Sequence, residues 1–558
     1  MLKRSLYLES MSVAGALLVA AGCTSFGSDE HGPPSTGAPS DTDGGTPAVQ
    51  GQPDRGLTVT VGNGKATAFV VQDRQLKLLV KLTRRASTTG AVTITLQGLP
   101  TGVTADPLVI LPGNVDGTLA IHATSASAQG PFSLDISALE AGSLGAGAQT
   151  KLSAFVRGAP GALDTTFGVN GLVRHLVGPQ KSAVATDLVV MGDDRLVAVA
   201  DCPANACVTR ASADGVPDKT YGTGGLAGLV MVMTTFQLPL KRQPTLGQAV
   251  ADGSGVVLSG NGGALLLALG RLTDTGQPDA NFGTGTGPAV GTELINATPN
   301  GGIPEGGRPA LARRQDGSLL IGFNWVHGSP SVTLGLLMRD KKGAQLASFG
   351  TNGTANGPLL VADNAPVVGF RANGSIWTAR VDPRQGFPVG LTGQHNGISG
   401  AVDALANTSN YVGTSCEPNG SIAIGGALAL ADGAIVAAFH CGTHVSILRS
   451  GPDGTKFDLA WGTGGVATIE EDARPSVSVD NSGRILVALL REGGLRLMRL
   501  GAGGAPDPTF GDAGTVVHAF GTNHQIARAF VQKDGRIVVL GTEDFADGSD
   551  VTLSRYWD

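Results

Sequence analysis

The sequence predicts an all-β fold, and three observations carry that prediction. The chain of 558 residues holds 85 glycines and 30 prolines against 15% charged and 4% aromatic residues. Gly and Pro punctuate turns, and many turns imply many short strands. Apolar and polar residues alternate in short runs, the period of a half-buried strand. One unit then recurs in order along the C-terminal part of the chain, the mark of a repeat architecture.

The chain begins differently. Lys3 and Arg4 precede an uncharged apolar run from Met11 to Gly22, too short for a permanent membrane helix, which needs about 20 residues. A positive start, an apolar middle and small residues at the end are the layout of a signal peptide. The end reads Leu18-Val19-Ala20-Ala21-Gly22-Cys23. It resembles a bacterial lipobox, which implies that residues 1–22 are removed and that Cys23 is acylated. Residues 23–55 are Gly, Pro, Ser, Thr and Asp with almost nothing apolar. Such a segment cannot repay its ordering entropy and is expected to be a flexible tether.

Residues 56–158 carry short alternating runs. Leu57, Val59 and Val61 share one face of a strand, as do Val92, Ile94 and Leu96, and Phe132, Leu134 and Ile136. A hundred residues of such strands fit a β-sandwich. The stretch from Gly98-Leu99-Pro100 to Ala105-Asp106-Pro107 resembles a segment common in bacterial immunoglobulin-like domains. The resemblance implies a spacer or a weakly adhesive module.

From residue 160 onward three markers recur. The first is an acidic residue three before an aromatic-Gly pair: Asp164 with Phe167, Asp218 with Tyr221, Asp279 with Phe282, Asp458 with Trp461 and Asp507 with Phe510. A sixth copy, Phe349-Gly350, has Leu346 in the acidic place. The aromatics are spaced 54, 61, 67, 112 and 49 residues apart, so one copy is missing from the gap of 112. The second marker, a polar turn before an apolar strand, fills it. It occurs at Asp193-Asp194, Ser254-Gly255, Asp316-Gly317, Asn373-Gly374, Asp432-Gly433, Ser482-Gly483 and Asp534-Gly535, seven times. Asp-Gly and Asn-Gly signal tight hairpin turns because both supply positive φ. The third marker is an arginine ending a strand: Arg210, Arg271, Arg339, Arg449 and Arg499, with Arg555 at the chain's end.

Seven sheets that each need neighbours on both faces suit a seven-bladed β-propeller. The first marker opens the repeats, and the last repeat stops just before that marker would return, so the two ends are expected to meet and share a blade. The aromatic is expected to fill space between blades, the aspartate to accept turn N–H groups, and the arginine to brace neighbouring blades. Leu163-Asp164-Thr165-Thr166-Phe167-Gly168, Asp534-Gly535-Arg536-Ile537-Val538-Val539 and Leu553-Ser554-Arg555-Tyr556 together resemble the delta-sixty repeat family over residues 160–558. That resemblance implies a propeller in an exported bacterial protein and transfers no catalytic residue. The boundaries of the fourth and fifth copies are blurred between residues 365 and 420.

Few residues offer chemistry. Four cysteines besides Cys23 suit an oxidising compartment and two disulfides, Cys202 with Cys207 and Cys416 with Cys441. A zinc site from Cys416, His440, Cys441 and His444 is the alternative. Asp544, Asp547 and Asp550 read as a solvated hairpin loop, with calcium as the alternative ligand. His175 and His518 both stand eight residues after the aromatic of their copies, and ring closure is expected to make them neighbours; they read as solvent-facing strand residues, with metal binding or acid–base work as the alternative. No P-loop, HExxH or dinucleotide fingerprint is present. The net charge of −6, without basic clusters, argues against nucleic acid. These features suggest a monomeric envelope lipoprotein, anchored by lipid to the outer membrane on its periplasmic or surface face. Its propeller is expected to hold a protein or glycan partner and to need no cofactor. A glycan hydrolase or lyase with carboxylates at the channel, and a calcium-dependent adhesin, are the alternatives.

Overall fold

A computed structural model describes residues 57–558, except for 62–66, 87, 143–146, 179–181, 203–205, 230–244, 262–265, 287–288, 297–302, 305–307, 327–331, 361–366, 382–388, 396–421, 453–455, 492–493, 520–523 and 547. Cys23, Cys416 and Asp547 therefore lie outside the described residues, as does most of the blurred stretch between 365 and 420. The described residues form strands and turns and contain no α-helix. They divide into two compact units, one ending at Ala159 and one spanning Pro160–Asp558.

The first unit is a sandwich of two sheets. One orders the strands Leu57–Val61, Gln75–Arg84, Asp116–Ala123 and Val103–Ala105. The other orders Thr67–Val71, Ala148–Arg157, Gly130–Glu140, Val92–Gln97 and Leu108–Ile110. Thr67–Val71 runs parallel to Ala148–Arg157, and the remaining pairs are antiparallel. In Gln75–Arg84 the residues Leu78, Val80 and Leu82 are buried while Lys77, Leu79 and Lys81 face out. This is the two-residue period of a sheet with one covered face.

The second unit contains seven antiparallel sheets. Sheets 1 to 6 follow the chain at 184–229, 245–296, 303–360, 367–395, 422–469 and 474–519. Sheet 7 uses 524–556 and takes its fourth strand, Leu172–Val173, from before sheet 1. Leu172 pairs with Ser554 and Val173 with Leu553. The strands of these sheets are largely apolar, and every residue of Ile435–Cys441 is buried. A strand covered on both faces has no reason to alternate.

Seven hydrophobic clusters explain the burial, one between each consecutive pair of sheets. Val189 and Leu246 join sheets 1 and 2, and Val257 and Leu311 join sheets 2 and 3. Ala310 and Val368 follow, then Trp377 and Ile424, then Val436 and Val477, then Leu486 and Val539. Ala185, Leu540 and Leu553 close the series between sheets 7 and 1. The first strand of each sheet, or Ala310–Arg313 in sheet 3, also packs on its counterpart in the next, and His524–Val531 returns to Val184–Val190. Bulges in four of these first strands raise the local twist. The result is a closed, propeller-like arrangement in which no sheet keeps an uncovered face.

Glycine is needed within sheet 4, where position 369 stands opposite Trp377 on the paired strand. A methyl group on Gly369 would lie 2.4 Å from the buried Trp377 indole. Trp377 can fill the space between sheets 4 and 5 because position 369 carries no side chain.

Candidate functional site

The repeat markers converge where the third strand finishes in sheets 1, 2, 5, 6 and 7. Their geometry recurs closely. One carboxylate oxygen of the marker aspartate caps its own turn: Asp164 accepts the Thr166 N–H at 3.1 Å, Asp218 that of Thr220 at 2.9 Å, and Asp507 that of Thr509 at 3.0 Å. The other oxygen receives the arginine. Arg555 Nε lies 2.7 Å from Asp164, Arg210 Nε 3.0 Å from Asp218, and Arg499 Nε 2.9 Å from Asp507. Arg271 pairs with Asp279 at 3.3 Å, and Arg449 pairs with Asp458. The guanidinium also covers the marker aromatic, at 4.6 Å for Arg210 over Tyr221 and 4.5 Å for Arg499 over Phe510. Such stacking is favourable for a planar cation.

Several arginines then reach into the next sheet. Arg555 meets Asp214 at 3.1 Å, Arg210 meets Asp274 at 2.9 Å, and Arg499 meets Asp558. The Thr220 hydroxyl first, and the Arg210 guanidinium second, hold the Asp218 carboxyl down at about 2. Hydrogen bonds to the charged form favour it. These charges are therefore spent on holding the scaffold together.

A second group of polar residues is buried along the first strands. Arg528 Nε lies 2.7 Å from Asp187 Oδ1, and each side chain is 2% exposed. Asp187 also accepts the N–H of Ala249 at 2.8 Å, so it touches sheets 7, 1 and 2. Burial pushes the Asp187 carboxyl up and the Arg528 guanidinium down. Asp201 accepts the Leu246 N–H at 2.8 Å and pairs with Arg308 at 2.7 Å. Asp252, the other acid on a described first strand, pairs with Arg313 at 2.7 Å and Arg271 at 3.1 Å. Sequence reasoning missed Asp187 and Arg528. The available signal was a lone charge inside an otherwise apolar run, Val184 to Val190 and Ile526 to Val531.

The sequence-derived candidates fall into different places. Cys202 and Cys207 form a disulfide with their Cα atoms 5.8 Å apart. Cys441 is also disulfide-bonded, to a partner outside the described residues. A disulfide-bonded sulfur is no thiolate ligand, and His440 Nε2 is turned to Asp472 at 2.8 Å and the Gly442 carbonyl at 3.0 Å. The His444 carbonyl accepts the Cys441 N–H. Asp544 and Asp550 do not converge. Asp550 stands opposite Glu543 in the hairpin and Asp544 opposite Ser549, so the two carboxylates point to opposite faces. Asp544 is exposed and accepts the Ser549 hydroxyl. Asp550 is fully buried and accepts the N–H groups of Val177, Gly178 and Val551 at 3.0, 2.9 and 2.6 Å. Among the described residues no three of His, Cys, Asp and Glu gather as a metal centre.

His175 stacks on Phe545 at 4.2 Å and lies 3.6 Å from Asp550. His518 meets the edge of Tyr556 at 5.8 Å, and burial pushes its pKa down.

These features define an all-β, propeller-like protein whose described charges are largely held in structural pairs. No family model matches the chain, and no curated protein does. Among solved structures it is similar to prolyl oligopeptidase B from Galerina marginata, at 8% identity and a TM-score of 0.29 over 66% of this chain and 56% of that one. It thus spans little more than half of that peptidase. It is also similar to the Nup133 β-propeller domain of Vanderwaltozyma polyspora, at 8% identity and a TM-score of 0.25 over 76% and 91%. Surface layer protein SbsC, domains 4–9, aligns at 12% identity and a TM-score of 0.15 over 90% and 82%.

Proposed function

We propose that the chain is a cell-envelope lipoprotein that acts as a binding or scaffold module. In this reading Cys23 carries the lipid, residues 23–55 set the reach, and an immunoglobulin-like sandwich spaces a seven-bladed propeller of the delta-sixty kind from the membrane. The propeller holds a protein or glycan of the envelope.

One observation carries the choice of binding over catalysis. The acids on the described first strands, Asp187 and Asp252, are each held by arginine. A glycan hydrolase needs two carboxylates with separate acid and base roles facing one substrate. Paired acids at these positions serve cohesion instead. The test uses the purified full chain on envelope glycans and on envelope proteins by cross-linking and calorimetry. Saturable binding without product release supports the reading, and turnover of a glycan overturns it. Mass spectrometry of the mature N-terminus tests the anchor: an acylated Cys23 supports it, and cleavage elsewhere without lipid rejects it.

A further inference from the structure

The five-stranded sheet of the sandwich turns Leu134, Ile136 and Ala138 into the core, so the alternate residues of its strands stand on the opposite, uncovered face. The strand register sorts that face into rows. At one end Phe69 stands opposite Phe155, and Phe155 opposite Pro131. The two phenyl rings lie 6.2 Å apart, and Phe69 is 50% exposed. At the other end Leu139 stands opposite Thr93 and Thr93 opposite Val109, all three exposed. Pro131 and Leu139 share one strand, about 27 Å apart along it.

Between these ends the face is made of hydroxyl and amide side chains, from Ser133 opposite Ser153 to Ser137 opposite Gln149. The charges among them cancel, because Lys151 and Asp135 form a salt bridge of 3.0 Å, and Arg157 stands outside, beyond the phenylalanines. This order inverts that of a protein–protein interface, where an apolar centre is ringed by polar residues. It also lacks the clustered cations that a nucleic acid or an anionic lipid surface calls for. Serine, threonine and glutamine each donate and accept, as the hydroxyls of a sugar do. The faces of the two phenyl rings offer an apolar platform beside them. A face whose charges cancel complements an uncharged polymer.

We propose that this face of the sandwich binds a neutral polysaccharide laid along the strands. One sugar rests its C–H face on Phe69 and Phe155, and the sugars after it exchange hydrogen bonds with Ser153, Ser133, Gln149 and Ser137. The sandwich is then a binding module in its own right rather than a spacer alone, whatever the propeller holds.

Affinity electrophoresis of the full chain through gels holding dissolved β-glucan, galactomannan or xylan tests this. At least one polymer should retard the protein saturably, and equally in about 0.05 M and about 0.5 M sodium chloride. Phe69→Ala should raise the apparent dissociation constant about tenfold and leave the melting temperature unchanged, since the ring is half in water. Phe69→Tyr keeps a ring in place and should bind as the parent does. Retardation by none of the three polymers overturns the proposal. Equal retardation of Phe69→Ala does so too, because the binding would then lie elsewhere, as on the propeller. Retardation that disappears at the higher salt also overturns it, because the contact would then be between charges.

Discussion

Arg528 and Asp187 meet at 2.7 Å across the seam where sheet 7 returns to sheet 1. The pair sits where the first strands of the two sheets pack together, and both side chains are out of water. Its loss should be felt strongly. Arg528→Met leaves a buried carboxylate unpaired and should cost about 3–5 kcal/mol, read by denaturant unfolding. Combining it with Asp187→Asn removes the unpaired charge and should recover part of that loss.

Asp218 gives the protein an acid-sensitive contact. Its carboxyl is held at about 2, below the ordinary 3.8. A depressed folded-state pKa stabilises fully above the unfolded value and loses that contribution as pH falls through the folded one. Denaturant unfolding from about pH 5 to about pH 2 should show stability falling with acid. Asp218→Asn should flatten that slope.

Asp550 pins the segment that leaves Leu172–Val173 and enters sheet 1. Asp550→Ala would orphan the N–H groups of Val177, Gly178 and Val551. Each buried orphan costs roughly 1–3 kcal/mol, though water can satisfy part of the set. Hydrogen exchange should quicken at Val177 and Gly178 before it does in the sheets.

Gly369→Ala drives a methyl group into Trp377. Overpacking of this kind costs about 1–3 kcal/mol in midpoint shifts. Adding Trp377→Phe should restore part of the stability by giving the methyl group room.

Calcium titration by calorimetry should give no saturable heat. The Asp550 carboxylate already accepts three backbone N–H groups, and Asp544 points to the other face of the hairpin. A saturable site would revive the adhesin reading.

Much of the fold could be read before the structure because the repeat supplies its own phase. Asp164, Asp507 and their counterparts lie at comparable points of each copy, so the strand that had to follow Phe167 was readable as the missing edge of the last copy. The brace was readable for the same reason, since Arg and Asp recur together. The buried polar residues were not. Asp187 and Arg528 each occur once, 341 residues apart, and nothing in either local run says which partner lies across the seam. At Asp544 and Asp550 the sequence suggests a solvated hairpin loop; Asp544 is exposed but Asp550 is buried, because a hairpin pleat separates what the chain keeps close. His175 and His518, at equal places in two copies, meet different aromatics, Phe545 and Tyr556.

The pairing of Val173 with Leu553 also dictates an order of assembly. The strand that completes sheet 7 is made some 380 residues before its partner. Until the last strand arrives, sheet 1 has nothing covering one side, and Leu172–Val173 has no ladder to join. Contacts of such long sequence separation form late, after most of the loop-closure entropy has been spent. A chain made from its N-terminus would hold its own fastening ready throughout synthesis and use it only at the end.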